Sequence, residues 1–370
     1  MMWNWTIKSL FSQPGSLISS SLGIASAFIL VIFFSAVWQG ESEQIVAYPN
    51  KMKPDVWVMQ KGVANMHMAM SFVWDWKADA IRKMPEVKNV TPILYLNTVV
   101  AVGDKKLFAF VVGLLGNDNR AGPWQISHGR KVENAGEIVI PEPISFLANV
   151  TLGDTMQVAD KTFVVVGLSE GTYSSGNPVF FTLFADLQEI LNSFGTYSYL
   201  MVDTFENVDK QVLAQKIKQQ VDKVNAITHE EFIANDYSLA KQMGVEIIMI
   251  MTLICSVLAA LIVGYSAYSL VNRKRKELAI LKAIGASNRN VFVSVVGQSL
   301  IVTLIAFFLA LGFALLVIPL IPQLVPQITV KVTLSALIEL GLTALIVAVI
   351  GALIPASIVV RLDPASAYQN

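Results

Sequence analysis

The side chains that could bind a ligand through soft donor atoms lie in one short run. The run NMHMAM, residues 65–70, places His67 between Met66 and Met68. Histidine and methionine are axial ligands that haem iron uses, so this run is a candidate haem contact. Three residues with related ligand chemistry share one face at the start of a predicted helix: Met243, Glu246 and Met249. The alternative is that the methionines are adaptable apolar packing residues at a lipid-facing or partner-facing surface.

Four aromatic residues close to that run are a second candidate surface. Trp57, Phe72, Trp74 and Trp76 favour an amphipathic segment that rests on the outer leaflet of a membrane. This interpretation suits a lipid-like or otherwise hydrophobic substrate that enters from the membrane side. It is compatible with haem and does not require it.

Polar side chains inside apolar stretches form a third class of candidate. Glu246 and Glu339 lie near the predicted outer ends of two apolar helices, and Gln298 lies inside another. An ionisable group in a membrane span is a functional candidate, because its burial costs at least a few kcal/mol. The alternative is that both carboxylates reach the outer interface, close to Lys241 or Lys331.

The most informative stretch is the basic segment NRKRKELAILKAIGASNR, residues 272–289, which lies between two long apolar runs. Leu278, Leu281 and Ile284 recur at helical spacing, and Gly285 is typical of a helix end. Because Lys and Arg gather in short cytoplasmic loops, the segment predicts the orientation of the chain. A short helix joined to membrane spans can pass motion from a soluble partner into the bilayer. The alternative is that the segment only fixes topology, but charge alone would then suffice.

Composition indicates a membrane protein. Hydrophobic residues make up 54% of the chain and charged residues only 15%, which is outside the range of ordinary soluble domains. The net charge is zero, so composition gives no case for a nucleic-acid partner. The single cysteine, Cys255, lies in an apolar run and is interpreted as a packing residue. The sequence contains no P-loop motif, so the chain cannot bind ATP by that route.

Four stretches are long enough to cross a bilayer as helices, which takes about 20 apolar residues. The first could be mistaken for a signal peptide, but its long apolar run and the lack of a clear cleavage site favour an uncleaved anchor. With the basic segment inside, both termini are cytoplasmic. The predicted division of the chain is a cytoplasmic N-terminal segment 1–16, helices 17–37, 245–271, 291–318 and 334–360, an extracytoplasmic domain 38–244, a cytoplasmic coupling loop 272–290, a short extracytoplasmic loop 319–333 and a cytoplasmic tail 361–370.

The extracytoplasmic segment shows strands and helices intermingled. PILYLNTVVAV and KLFAFVVGLL flank the turn Gly103-Asp104, and a second hairpin is predicted around Asp160-Lys161. NVDKQVLAQKIKQQVDKV is an amphipathic helix. The predicted fold is therefore four transmembrane α-helices with an α+β extracytoplasmic domain inserted between helices one and two.

Three segments carry a resemblance to a known family: RKRKELAILKAIGAS (273–287), VRLDPASAY (360–368) and GEIVIPEPISFLANVTLGDTMQVADKTFVVVGL (136–168). They resemble the MacB/FtsX-type permeases, the membrane subunits of ABC transporters of the mechanotransmission class. The arrangement of one plus three spans around one outer domain agrees. The chain departs from the family pattern in lacking arginines before the first span and in carrying Gln298 where an acidic residue is expected.

The resemblance implies a homodimer bound to two copies of a separate ABC ATPase subunit, which would bind ATP and Mg²⁺. The chain itself would be non-catalytic, without a cofactor or metal site, in the cytoplasmic membrane of a bacterium. A periplasmic adaptor and membrane lipid are further implied partners. The residues implied to couple this chain to the ATPase are Arg273, Lys276, Glu277, Leu278, Leu281, Lys282, Ile284 and Gly285. The three apolar members would supply the contact, and the charged ones would set its register.

The function implied is export or extraction of a hydrophobic or amphiphilic substrate, driven by ATP hydrolysis in the partner. Haem is an alternative substrate, because some relatives in this family export it. A different alternative is an FtsX-like signalling module that activates an extracytoplasmic cell-wall hydrolase. A transporter should have an apolar cavity between two chains or a face for an adaptor, whereas a regulator should have a solvent-facing protein-binding patch.

Overall fold

The computed structural model describes residues 2–67, 70–103, 105–115, 120–174, 178–240, 246–325 and 328–360. The chain divides into two compact units, which are described separately. The helical unit comprises Met1–Gln39, Ile247–Gln323 and Val330–Asn370, and the α+β unit comprises Gly40–Glu246 and Leu324–Thr329.

The elements of the described residues follow in chain order. The helices are α1 (Met2–Phe11), α2 (Pro14–Ile45), α3 (Ala47–Met52), α4 (Asp75–Arg82), α5 (Glu142–Ala148), α6 (Phe184–Leu191), α7 (Lys210–Gln220), α8 (His229–Ala240), α9 (Glu246–Arg273), α10 (Arg275–Ala283), α11 (Asn288–Val317), α12 (Ile321–Leu324) and α13 (Leu334–Val360). The strands are β1 (Val56–Gln60), β2 (Val73–Trp74), β3 (Val87–Val102), β4 (Lys105–Leu114), β5 (Ile126–Gly129), β6 (Glu137–Pro141), β7 (Thr155–Val158), β8 (Lys161–Ser169), β9 (Val179–Leu183), β10 (Thr196–Tyr197), β11 (Tyr199–Thr204) and β12 (Val224–Thr228).

Four helices of the described residues are long and apolar enough to cross a membrane: α2, α9, α11 with its following 3₁₀ turn, and α13. Each coincides with one predicted span. Such helices satisfy their own backbone hydrogen bonds, which a bilayer requires of any segment that crosses it. Helix α2 is longer than the predicted span 17–37, and α12 lies inside the stretch 319–333 that was predicted as a loop.

Small residues bring α11 and α13 together. On α11, alanines recur every fourth residue at Ala306 and Ala310, and α13 repeats the pattern at Ala344 and Ala348; all four are buried. Small residues at this spacing allow helix backbones to approach closely in a membrane. The hydroxyl of Ser299 also donates to the Ala348 carbonyl at 3.4 Å. Helices α11 and α13 therefore pack closely on each other over several turns.

Helix α9 is mostly exposed and meets α13 at a pair of glycines. A Cβ atom built on Gly351 would lie 3.1 Å from the Gly264 Cα and 3.2 Å from its nitrogen. Such contacts are tighter than normal packing allows, so the crossing depends on the absence of a side chain at Gly351. A Cβ built on Gly312 of α11, in contrast, meets nothing within 4 Å.

We expect Gly351→Ala to destabilise the helical unit relative to Gly312→Ala. Both changes improve helix propensity, but only the first forces two helices apart, at a cost of about 1–3 kcal/mol. Thermal unfolding of the two variants in lipid nanodiscs measures the difference. Equal melting temperatures would show that α9 and α13 do not need this close approach.

The α+β unit is built on a ten-stranded sheet within the described residues. Its order is β12-β1-β11-β3-β4-β9-β6-β8-β5, and β7 pairs with β3 and β8. The pairs β4–β9 and β6–β8 are parallel and the others are antiparallel. The long strand β3 runs through both halves of this sheet. A separate two-stranded sheet joins β2 and β10.

Helices cover this sheet because alternate strand residues are apolar. Helices α4 and α7 pack on one cluster through Ile81 and Ile217, and α5 and α6 pack on another through Ile144 and Leu187. The predicted α+β fold is confirmed. Both predicted hairpins are present: Val102 pairs with Lys105, and Val158 pairs with Lys161.

The aromatic segment divides between core and surface. Trp57 is fully buried and stacks on Phe232 of α8 with ring centroids 4.5 Å apart, so its predicted place in a membrane-facing belt is wrong. Phe72, Trp74 and Trp76 are exposed, as a surface belt requires. The difference follows from the strands: Trp57 lies in β1, which is paired on both sides by β11 and β12, whereas Trp74 lies in the short strand β2.

Candidate coupling surface

The basic segment forms a helix with a defined break at each end. Helix α9 ends at Arg273, and Lys274 leaves the helical conformation before α10 begins. Helix α10 ends before Gly285, whose φ of +101° is a conformation that favours glycine. The hydroxyl of Ser287 then accepts from the Asn290 N–H and caps α11. The predicted helix and its glycine stop are therefore both present.

The inner face of α10 is packed against the membrane helices. Leu278 and Ala279 are buried, and Leu281 is half-buried against the same cluster. This cluster also contains residues of α9, α11 and α13, among them Val271, Val291 and Ala356. Leu278 therefore holds α10 in place and does not face a soluble partner, contrary to the predicted apolar contact.

The outer face of α10 carries different residues. Ile280 is 45% exposed and Ile284 is 76% exposed, and Ala283 lies exposed between them. The exposed Lys276 stands one turn before Ile280 on this face. We call Lys276, Ile280, Ala283 and Ile284 the coupling stripe. Of the predicted apolar residues only Ile284 belongs to it. Sequence analysis missed Ile280, because residue spacing alone does not show which face of a helix is exposed.

The remaining predicted charges have distinct surroundings. Arg273 is exposed, and its Nη1 donates to the Ser16 hydroxyl at 3.1 Å. Lys282 and Glu277 are half-buried. The charged residues at the two ends of α10 therefore differ in exposure: Arg273 is open to solvent, and Glu277 and Lys282 are partly covered.

Lys274 is the basic residue that differs most from a solvated loop charge. It is 1% exposed, and its Nζ donates to both the carbonyl and the hydroxyl of Ser9 in α1, the latter at 2.8 Å. Burial lowers the pKa of the Lys274 amine, and the nearby Glu277 partly opposes this shift. Sequence analysis missed both Lys274 and Ser9, since a lysine in a basic run carries no sign of burial.

The candidate haem contacts lie largely in the core of the α+β unit. Met66 and His67 are buried, and both their backbone N–H groups donate to Oδ1 of Asp236 on α8, at 2.9 and 3.0 Å. The Nδ1 of His67 lies 2.6 Å from the same oxygen, and its ring meets the edge of Phe110. Asp236 thus fixes the run that contains these residues. Met68 and Met243 lie outside the described residues.

The other predicted polar residues are spread over the helical elements. Glu246 and Met249 are exposed on the first turn of α9, and Glu339 is exposed on α13. Gln298 is buried in α11, and its Nε2 has no hydrogen-bond partner among the described residues. Met249 belongs to the helical unit, whereas Met66 and His67 belong to the α+β unit.

Two family models match the chain. The FtsX-like permease C-terminal model matches residues 249–364, and the MacB-like periplasmic core domain model matches residues 17–220, more than half of the 370 residues. The chain belongs to the MacB/FtsX-type ABC permease family. This permease is therefore a multi-pass membrane protein of a bacterial type, and membership implies an ABC ATPase partner.

Its relatives are distant. An uncharacterized ABC transporter permease of Mycobacterium bovis is 23% identical to the permease over 79% of this chain and 78% of its own length. A Staphylococcus epidermidis protein provisionally named hemin transport system permease protein HrtB is 22% identical over 75% of this chain and 74% of its own length.

Two solved structures are also similar. One is the periplasmic region of MacB from Actinobacillus actinomycetemcomitans, with a TM-score of 0.38, 14% identity, and coverage of 50% of this chain and 94% of that chain. The other is the extracellular domain of the transporter YknZ, with a TM-score of 0.36, 10% identity, and coverage of 48% of this chain and 100% of that chain.

We expect Leu278→Ala and Ile284→Ala to affect stability very differently. The first leaves a cavity between α10 and the membrane helices and should cost about 2–5 kcal/mol, whereas the second alters an exposed side chain and should stay within about 0.5 kcal/mol. Thermal unfolding of the purified permease in detergent compares them. Equal losses would contradict the described orientation of α10.

Proposed function

We propose that this permease couples ATP hydrolysis in a separate ABC ATPase to the export or extraction of a hydrophobic or amphiphilic substrate. The coupling stripe is the observation that supports this proposal. It is an exposed apolar strip on a short helix, and the opposite face of that helix is packed into the membrane bundle. An exposed apolar strip on a soluble loop is typical of a protein-binding site.

The stripe can supply both affinity and transmission. Burial of Ile280 and Ile284 in a cleft of the ATPase contributes roughly 1.5–3 kcal/mol for each side chain. The exposed Lys276 and the half-buried Lys282 would set the register of the contact and add little affinity, because ion pairs near the surface are individually weak. A displacement of α10 is then passed through Leu278 to α9, α11 and α13 at once, since all three contact the same cluster.

The orientation, assembly and cellular site belong to the same proposal. The basic segment favours a cytoplasmic position for α10, with both termini cytoplasmic and the α+β unit on the outside of the cytoplasmic membrane. Two copies of the permease would bind two copies of the ATPase. A periplasmic adaptor and membrane lipid are the further proposed partners, and ATP with Mg²⁺ would be bound by the ATPase alone.

We expect Ile280→Asp combined with Ile284→Asp to weaken ATPase binding at least tenfold, because two apolar contacts worth more than about 1.4 kcal/mol are lost. The binding constant is measured with the co-expressed ABC ATPase and the permease in nanodiscs. Val212→Asp, at a similarly exposed apolar residue on α7 of the α+β unit, is the matched control and should bind normally. Unchanged binding in the double variant would rule out the stripe as the docking site.

Haem is a second candidate substrate, favoured by one relative's name and by the start of α9. Glu246 and Met249 are both exposed one turn apart on that helix, whereas Met66 and His67 are buried and held by Asp236. We therefore propose Glu246 and Met249 of α9 as the haem contact. Carboxylate and thioether groups in the outer part of a span could meet a ligand that arrives from the membrane.

A haemin titration tests this site by the Soret difference spectrum of the purified permease. We expect Met249→Leu with Glu246→Gln to abolish the shift, and His67→Ala to retain it, because only the first pair is exposed. A shift that survives in the double variant, or no shift in the unaltered permease, would exclude this haem site.

The FtsX-like signalling alternative is supported by the exposed aromatic residues of the α+β unit. Phe72, Trp74 and Trp76 are joined by Phe194, which is 65% exposed beside the β2–β10 sheet. Exposed aromatic clusters are frequent at protein interfaces. In this alternative the cluster would bind a cell-wall hydrolase, and no substrate would be transported.

A further inference from the structure

Helix α1 is a short N-terminal element that contacts α10, α11 and the corner between α9 and α10. Its residues Thr6, Ser9 and Leu10 are buried, although two of them are polar. Thr6 and Ser9 are three residues apart and so share one face. Each of these hydroxyls is hydrogen-bonded to another element, which explains how polar groups are tolerated there.

The last turn of α1 is capped by Lys274. The Ser9 carbonyl accepts from the Lys274 Nζ and also from the Ser12 hydroxyl, at 2.8 Å for the latter. Carbonyls in the last turn of a helix lack helical partners, and the negative end of the helix dipole attracts a cation. The buried ammonium therefore lies where its charge is compensated.

Ser9 also reaches α10. Its hydroxyl accepts from the Lys274 Nζ at 2.8 Å and donates to Oε2 of Glu277 at 3.1 Å. It therefore connects the corner between α9 and α10 to the first turn of α10. At the other contact of α1, the hydroxyls of Thr6 and Ser294 are 2.7 Å apart, which joins α1 to the second turn of α11.

We propose that α1 belongs to the coupling device: Lys274 is a positioning residue that, through Ser9 and Glu277, makes α1, α10 and the first turns of α11 move as one body. This inference rests on the proposed docking of an ABC ATPase on the coupling stripe. A nine-residue helix held only by one apolar face could roll on that face. The hydrogen bonds to α1 hold a second side of α10 and prevent such rolling.

The basic segment then has two different tasks. A lysine that only fixed topology would stay in water, because burial of an ammonium is costly without partners. Lys274 is instead almost fully buried and makes two hydrogen bonds to α1. Lys276, on the coupling stripe, is exposed.

The first test compares ATPase binding with ATP turnover of the complex in nanodiscs, using the co-expressed ABC ATPase. We expect Lys274→Met to keep the binding constant within about twofold. The same change should reduce, at least fivefold, the difference in ATP turnover between the ATPase bound to the permease and the ATPase alone. Lys274→Arg, which retains a cation that can reach Ser9, should recover most of that difference. Ser9→Ala is the milder second variant and decides the matter should Lys274→Met fail to fold.

These outcomes separate the inference from the proposed function. Normal turnover in both Lys274→Met and Ser9→Ala, while Ile280→Asp with Ile284→Asp still weakens binding at least tenfold, would overturn the role of α1 alone. Unchanged binding in the Ile280 and Ile284 variant would instead overturn the docking site. Ser26→Ala is the matched control, because the exposed Ser26 hydroxyl donates to the Gly23 carbonyl within α2, away from Ser9 and Lys274, and it should leave turnover unchanged.

A second test locks α1 to α11. Thr6→Cys with Ser294→Cys, in a Cys255→Ala background without the single native cysteine, places two thiols where hydroxyls are now in contact. Oxidation with diamide joins the two sulfurs, and diamide takes up the two hydrogens. If the helices move as one body, the oxidised and reduced forms turn over ATP within about twofold. Arrest on oxidation, reversed by dithiothreitol, would show that α1 and α11 separate during the cycle.

Discussion

Helix α10 keeps its shape because its inner face is packed against the membrane helices. An isolated helix of this length is marginal in water, where about 12–15 residues are needed even for favourable sequences. Leu278 therefore does more than orient α10, since its burial with Val271 and Val291, beside the buried Ala279, stabilises the helix. The residues that face a partner can then be few, because they do not also have to hold the fold together.

The membrane helices that surround α10 are packed unequally. Helices α11 and α13 meet through alanines over several turns, whereas α9 touches α13 at Gly264 and Gly351. Helix α9 thus has few neighbours within the described residues of the helical unit, while its last residue leads directly into Lys274 and α10.

The α+β unit also holds the segment that precedes α9 in sequence. Phe232 of α8 stacks on Trp57, and Asp236 of the same helix accepts three hydrogen bonds from Met66 and His67. These contacts hold α8 against strand β1 and against the run 65–67 that follows it. The histidine and methionine that first suggest ligand chemistry are therefore explained by packing and by one buried carboxylate. The relatives are 22–23% identical to the permease, and their names do not establish its own substrate.

The sequence alone determined the four spans, the inserted α+β domain and the helix between Arg275 and Ala283, because hydropathy and periodicity follow from local residue types. It also determined the helix end at Gly285, since only glycine readily adopts that backbone angle. The tertiary structure decided which face of α10 is exposed: Leu278 turned inward and Ile280 outward because α9, α11 and α13 surround one side. It alone showed that Lys274 and Ser9 meet across more than 260 residues and that His67 is held by Asp236. Such pairings depend on how helices pack in space, and spacing along a single segment carries no information about a partner elsewhere in the chain.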